Sequence, residues 1–348
     1  MDVHNIMEKQ KDVTIYDIAK DLNVSPSTVS RALNDDPTVS KKTRKKIFET
    51  AARMGYRSNL FAKNLRQQQS LTIGVIVYEL NSSFMTAVLS GIEKVANEAG
   101  YGIIIMDSAQ SAGKEMVNTQ NLFHRRVDGV IAFLAPDTKE QDHFRPFTEK
   151  NIPVIFLDRA GQIPESTSII IDNAMCGYMA AQHLIEQGCR RIAHLTSTLQ
   201  HDIYALRYKG FRAALKENAL PFDESLLILA PPTEEDSEVA AKKLMKLQLL
   251  PDGLFATNDL AAAVCIRTFL DQGIRVPQDI AVVGFNNDVI GKLIKPTLTT
   301  INYPGMEMGE AAARNLVSHL RQEGNMNNIS TMTIRAELIV RQSSIKKG

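Results

Sequence analysis

The sequence predicts a small all-α head followed by a larger α/β body built as two lobes. Three observations carry this. The first 70 residues hold short amphipathic helical patterns and 13 Lys+Arg against 8 Asp+Glu, a net +5, while the rest of the 348-residue chain holds 27 against 31. From Leu71 onward, short β-rich runs alternate with helical stretches, and runs that are apolar throughout mark parallel strands covered on both faces. About nine such runs exceed an ordinary sheet, so two doubly wound lobes fit better than one.

In the head, VTIYDIAKDL places Thr14 as an N-cap with Asp17 three residues on, the capping-box spacing. Ile15, Ile18, Ala19 and Leu22 share one helical face, and Asn23 and Val24 turn the chain. NVSPSTVSRALN then offers Ser25 as a second N-cap and Pro26 at the first helical position, where its missing N–H costs nothing. Val29, Ala32 and Leu33 form a thin apolar stripe, which leaves Pro26, Ser27, Thr28, Ser30 and Arg31 on the other face. This is a helix-turn-helix layout. Its second helix suits the DNA major groove, because small side chains let the backbone approach and the hydroxyls and Arg31 can bond phosphates or bases. SKKTRKKIFETAARMGY adds a third helix, capped by Ser40 and stopped by Gly55. Lys41, Lys42, Arg44, Lys45 and Lys46 crowd its first turns, where they can meet phosphate.

In the body, the strand-like runs are IGVIVYE (73–79), YGIIIMD (101–107), DGVIAF (128–133), PVIFLD (153–158), SIIID (168–172), RIAHLTS (191–197), SLLILA (225–230), DGLFATND (252–259) and DIAVVGFNN (279–287). In such folds ligands bind beyond the carboxyl ends of the strands. Asp107, Asp158, Asp172, Ser197, Asn258, Asp259, Asn286 and Asn287 gather there. The chain carries no GxxxxGK phosphate loop, no GxGxxG after the first strand, no nucleophile elbow and no clustered metal ligands. The seven histidines are dispersed, and the three cysteines have no metal spacing. No enzymatic activity, cofactor or metal is therefore expected.

VTIYDIAKDLNVSPSTVSRALN, VSKKTRKKI and AARMGYRSNLFAKNLR, in that order, resemble the DNA-binding head of the LacI/GalR family of bacterial transcription regulators. The body resembles that family's effector domain, itself similar to type I periplasmic sugar-binding proteins, through SLTIGVIV, VDGVIAF, PVIFLDR, ALRYKGF, ATNDLAAAV, VPQDIAVVGFNND and PTLTTI. The resemblance implies DNA contacts from Thr14, Tyr16, Ser25, Pro26, Ser27, Thr28, Ser30, Arg31, Asn34, Ser40, Thr43 and Tyr56. It further implies a hinge helix that contacts DNA through Asn59, Ala62, Leu65 and Arg66, with Leu65 as a minor-groove wedge. It implies an effector site of Phe84, Asp158, Arg207, Asn258, Asp259 and Asn286. The expected organisation is a head at 1–57, a hinge and linker at 58–70, a first lobe of 71–160 with 303–327, and a second lobe of 161–302 with 328–343.

Three departures from the family pattern stand out. Ser58 replaces a usual proline before the hinge helix. Ser82 and Ser83 replace a proline and an aromatic beside Phe84. Asn286 and Asn287 stand where Asp-Asp is common. Fewer carboxylates near Arg207 widen the expected effectors from plain sugars to sugar acids and phosphosugars. The family implies a homodimer on a palindromic operator, its affinity set by a small effector between the lobes. A solute-binding protein of the same lobed fold would need a signal peptide and no basic head, and MDVHNIMEKQKDV has no apolar stretch, so a cytoplasmic location is expected. A sugar-processing enzyme with a DNA-binding head is the other alternative, disfavoured by the missing catalytic motifs. No run is long enough to span a membrane, and IVRQSSIKKG carries no heptad tail for a coiled-coil tetramer.

Overall fold

The computed structural model describes residues 13–56, 69–200, 202–321 and 331–346. The chain divides into two compact units, residues 1–68 and 69–348.

The first unit holds α1 (Ile15–Leu22), α2 (Pro26–Leu33) and α3 (Lys41–Met54). The expected caps are in place. The Thr14 N–H donates to the Asp17 carboxylate at 2.8 Å, and Ser25 and Ser40 accept from the N–H groups of Thr28 and Thr43. Asn23 ends α1 in the left-handed conformation at φ 52°, which asparagine tolerates better than most residues. Ile18, Ala19, Val29, Ala32, Val39, Ile47 and Ala51 are buried together, so each helix spends one face on a common core.

The second unit contains two six-stranded sheets. The first is made of β1 (Thr72–Val77), β2 (Gly102–Asp107), β3 (Gly129–Phe133), β4 (Val154–Leu157), β5 (Thr167–Ile171) and β11 (Thr331–Ile334), in the spatial order β11-β5-β4-β3-β1-β2 and parallel throughout. The second is made of β6 (Ile192–Thr196), β7 (Leu227–Leu229), β8 (Gly253–Ala256), β9 (Ala281–Asn286), β10 (Thr299–Asn302) and β12 (Glu337–Ile339), in the order β12-β10-β9-β8-β6-β7. Only β12 in it runs antiparallel. The helices are α4 (Ser83–Glu98), α5 (Ala112–His124), the single turn α6 (Arg145–Thr148), α7 (Asn173–Glu186), α8 (Asp202–Glu217), α9 (Glu234–Met245), α10 (Asp259–Asp271), the single turn α11 (Ile290–Leu293) and α12 (Gly305–Leu320). The chain passes between the lobes after β5, after β10 and after β11.

Two parts of the expected lobe boundaries are corrected by strand pairing. Residues 167–171 were expected in the second lobe, yet β5 pairs with β4 of the first sheet. Residues 331–334 were expected there too, yet β11 pairs with β5. The apolar run SIIID says that a strand forms but not which sheet receives it. The central strands are covered on both faces as expected, whereas β2 is an edge strand and its Ile105 is 41% exposed.

Both lobes rely on close helix crossings. A Cβ on Gly210 of α8 would lie 1.7 Å from the Ala174 carbonyl oxygen of α7, and one on Gly91 of α4 would lie 2.3 Å from the Met306 carbonyl oxygen of α12. Only glycine lets the backbones approach this far.

Candidate nucleic-acid interface and ligand cleft

In the head, Thr14, Tyr16, Ser25, Ser27, Arg31, Asn34 and Ser40 are exposed, and Pro26, Ser30, Thr28, Thr43 and Tyr56 are half-buried. Tyr16 is 68% exposed, too much to serve in the core. The Ser25 hydroxyl lies 2.8 Å from those of both Ser27 and Thr28, so the start of α2 presents a linked set of hydroxyls. Asn34 folds back instead, its side-chain amide donating to the Ser30 carbonyl at 2.8 Å. Arg44 is also spent locally. It donates to Asp35 at 3.2 Å and to the Asp36 carbonyl at 2.8 Å, which holds the loop before α3. Lys41, Lys42, Lys45 and Lys46 stay exposed. Asn59, Ala62, Leu65 and Arg66 lie outside the described residues, as does the hinge helix expected from them.

In the body, the carboxyl ends of β1, β4, β6, β8 and β9 bring Tyr78, Asp158, Ser197, Asn258 and Asn286 to the cleft side of the two sheets. Arg207 of α8 is the centre of a box. It is 3% exposed and its Nε donates to Asn173 Oδ1 at 2.8 Å, while Nη1 donates to the Thr257 carbonyl at 3.3 Å. Its guanidinium carbon lies 3.5 Å from the centre of the Phe285 ring and 5.5 Å from those of Tyr204 and Tyr303. These rings supply negative faces to a cation removed from water.

Asp158 is 4% exposed and accepts the Tyr303 hydroxyl. Burial pushes its carboxyl up from the ordinary range, against the pull of that hydrogen bond and of Arg207 and Arg159. Phe84 is 7% exposed and stacks on Tyr303 at 4.0 Å, with its edge against Phe133. Burial, with Asp158 beside them, raises the hydroxyls of Tyr78 and Tyr303 well above their ordinary value, so both act as neutral donors.

Asn258 caps α10, its side-chain oxygen accepting from Leu260 N at 2.8 Å and Ala261 N at 3.3 Å. It also borders a small cavity with Ser197, Tyr204 and Thr257, whose volume of about 10 Å³ is room for one water. Asp259 departs from the expectation that it faces a ligand. It is fully buried, one oxygen accepting from the Thr300 hydroxyl and the other from Asp288 N, both at 2.7 Å, so it holds the loop after β9. Burial raises its carboxyl to about 6. Asn286 sits at φ 115° where that loop begins.

Of the residues expected from the sequence to contact the ligand, Arg207, Asp158 and Phe84 lie together here, packed with Tyr303, Phe285, Asn173 and Thr257, which the sequence does not single out. Tyr303 follows the end of β10, a strand hidden in PTLTTINYP, so the carboxyl-end rule could have found it had that strand been read. His194 is buried against Phe211 and Phe255, at 4.8 and 4.9 Å, and burial lowers it to about 3; it stays neutral and serves the core. Among the described residues no group of three His, Cys, Asp or Glu could hold a metal ion, and no helix is long and apolar enough to cross a membrane.

A three-helix head with exposed hydroxyls and arginine, on a body with two parallel-sheet lobes and a polar cleft, defines the class: a DNA-binding regulator with a ligand-responsive domain. Comparison with known proteins makes the family plain. Residues 14–59 match the bacterial regulatory proteins of the lacI family, and residues 181–344 match the periplasmic binding protein-like domain. The chain is 33% identical over 337 residues to catabolite control protein A of Priestia megaterium, covering 96% of this chain and 99% of that protein. It is 26% identical to the ribose operon repressor of Haemophilus influenzae, covering 95% and 98%. Among solved structures, the Lac repressor dimer bound to operator and the anti-inducer ONPF superposes with a TM-score of 0.86 at 25% identity, covering 97% and 100%. A complex of the regulator CelR with cellobiose gives 0.70 at 26% identity, covering 95% and 99%. The chain belongs to the LacI family of bacterial transcription regulators.

Proposed function

We propose that the protein is a homodimeric repressor that reads a palindromic operator in the cytoplasm, and that a small neutral sugar bound between the lobes of its body sets its operator affinity. The observation that carries this is the Arg207 box: a buried cation with aromatic faces, a carboxylate and tyrosine hydroxyls converging between two lobes. Polyhydroxyl ligands use such donors and acceptors, and their apolar faces use aromatic rings. The Arg207 guanidinium is already engaged by Asn173, the Thr257 carbonyl and the Phe285 ring, which favours neutral ligands among the three classes expected from the sequence. The CelR–cellobiose complex supports a sugar as the ligand.

In this reading Phe84, Asp158, Arg207 and Asn286 face the ligand, and Asn258 and Asp259 act by positioning, one as a helix cap and one as a loop anchor. Segment 58–66 carries the response to DNA, with Leu65 as the wedge. The operator-bound Lac repressor dimer supports two-fold binding, and the exposed apolar side chains of Ile105, Met116 and Val117 on β2 and α5 are consistent with it. The test is selection of bound sequences from a random DNA pool by the purified full-length protein near physiological salt, repeated with neutral sugars and with sugar acids. An enriched palindrome, altered in yield by a neutral sugar, is expected. No enrichment under any condition would overturn the DNA reading, and a response to sugar acids alone would overturn the neutral-ligand reading.

A further inference from the structure

Ser83 and Asp288 stand on opposite lobes. Ser83 is the first residue of α4, which follows β1 of the first sheet; Asp288 follows β9 of the second. The Ser83 hydroxyl donates to Asp288 Oδ1. We propose that this pair is a clasp across the rim of the cleft, and that it sets the fraction of molecules in which the two lobes are closed on each other. The proposal rests on the reading that the cleft between the lobes is the ligand site.

The two sides of the contact are built differently. On the second lobe the loop 286–288 is a fixed post. Asn286 and Asn287 take φ values of 115° and 59°, left-handed conformations that need outside support in residues other than glycine. That support is present. Asn287 N donates to the Thr300 hydroxyl at 3.2 Å, its side-chain NH2 donates to Asn302 Oδ1 at 3.0 Å, and its side-chain Oδ1 accepts from Arg341 at 2.7 Å. Asp288 N donates to the buried Asp259. With its backbone held this way, Asp288 has its carboxylate left to reach across the rim.

On the first lobe the catch is the start of a helix of 16 residues, capped by Ser82, whose hydroxyl accepts from Met85 N at 3.1 Å. A carboxylate arriving there meets the positive end of the helix dipole as well as the hydroxyl. The close crossing at Gly91 packs α4 against α12, so the catch cannot move without its lobe. Ser83 is exposed and Asp288 half-buried, so water competes for both. The clasp is therefore weak enough to open and strong enough to bias. A charge-assisted hydrogen bond in this setting should change the closed-to-open ratio about fivefold. The two departures from the family pattern in the body, Ser82–Ser83 and Asn286–Asn287, flank this one contact.

The test reads lobe separation without ligand or DNA, so it reports on the clasp even if the protein binds no sugar. Spin labels go on exposed positions of the two lobes through Glu98→Cys and Glu235→Cys; the native Cys176, Cys189 and Cys265 are buried and leave the label to the new sites. The labelled full-length chain is diluted with unlabelled chain so that pairs report within one protomer. Ser83→Ala and Asp288→Ala should each move the distance population toward longer separation, about fivefold in the ratio. Ser83→Asp should move it further by like-charge repulsion with Asp288. Adding Asp288→Ser to Ser83→Asp exchanges donor and acceptor and should restore the original population. Unchanged distances in both alanine variants would overturn the clasp. A shift that the exchange fails to restore would also overturn it, because a local packing change would then account for the singles.

Discussion

Replacing Arg207 with alanine should do more than silence a ligand response. The guanidinium is nearly fully buried and satisfies two acceptors, Asn173 Oδ1 and the Thr257 carbonyl. Removal leaves both without that donor, at a cost of about 1–3 kcal/mol each. The stack on Phe285 at 3.5 Å is desolvated and contributes about 2 kcal/mol more. Loss of the cation also leaves Asp158 with less to oppose its burial. The total is about 4–8 kcal/mol, a large part of the stability of an ordinary domain. For a body of this size the melting temperature should fall by roughly 10 °C or more. The assay is thermal unfolding followed by circular dichroism, with Arg207→Lys as the companion: lysine keeps the charge but not the planar fork, so it should recover part of the loss. Operator binding measured well below the new melting temperature should survive, because the head is a separate compact unit. If Arg207→Ala melts within about 2 °C of the parent, the Arg207 box does not hold the lobes' interior, and its assignment as the centre of the ligand site loses its physical basis.

Other outcomes are expected at positions chosen for a single cause. Gly210→Ala must push α7 and α8 apart and should cost about 3 kcal/mol in urea unfolding, whereas Gly113→Ala in α5, whose nearest neighbour is 3.7 Å away, should be neutral or slightly stabilising. Asp259 holds its proton more tightly folded than unfolded, since burial raises it to about 6. Its contribution is therefore fully present at low pH and is lost as pH rises through about 6. Asp259→Asn removes that dependence, so the stability difference between parent and variant should change by about 2 kcal/mol between roughly pH 4.5 and 7.5; a difference constant with pH would refute the buried-acid reading. Arg31→Ala should weaken binding to the selected operator by about 1–3 kcal/mol while leaving non-specific DNA affinity nearly unchanged, read by fluorescence anisotropy. Leu65→Ala should weaken operator binding and reduce DNA bending, and an unchanged bend angle would discredit the wedge.

The sequence by itself determined what depends on neighbours along the chain. Ser25 and Ser40 cap the helices where their spacing says, each accepting from an N–H three residues on, and Asp17 accepts from the Thr14 N–H across the same spacing. The nine β-rich runs all became strands, and Arg207 and Asp158 were legible as polar residues at motif positions. The tertiary structure decided what depends on distant partners. Which sheet receives SIIID turns on edge-to-edge pairing with β4 and β11, which no local pattern encodes. The strands β10, β11 and β12 are three or four residues long and gain their hydrogen bonds from segments far along the chain. Tyr303 reaches Asp158 across 145 positions, and Ser83 reaches Asp288 across 205. The sequence places Asp259 in the effector site, but its neighbours Thr300 and Asp288 make it a buried anchor of the loop instead. A residue's type sets what it can bond, and only the folded chain decides which partner takes the bond first.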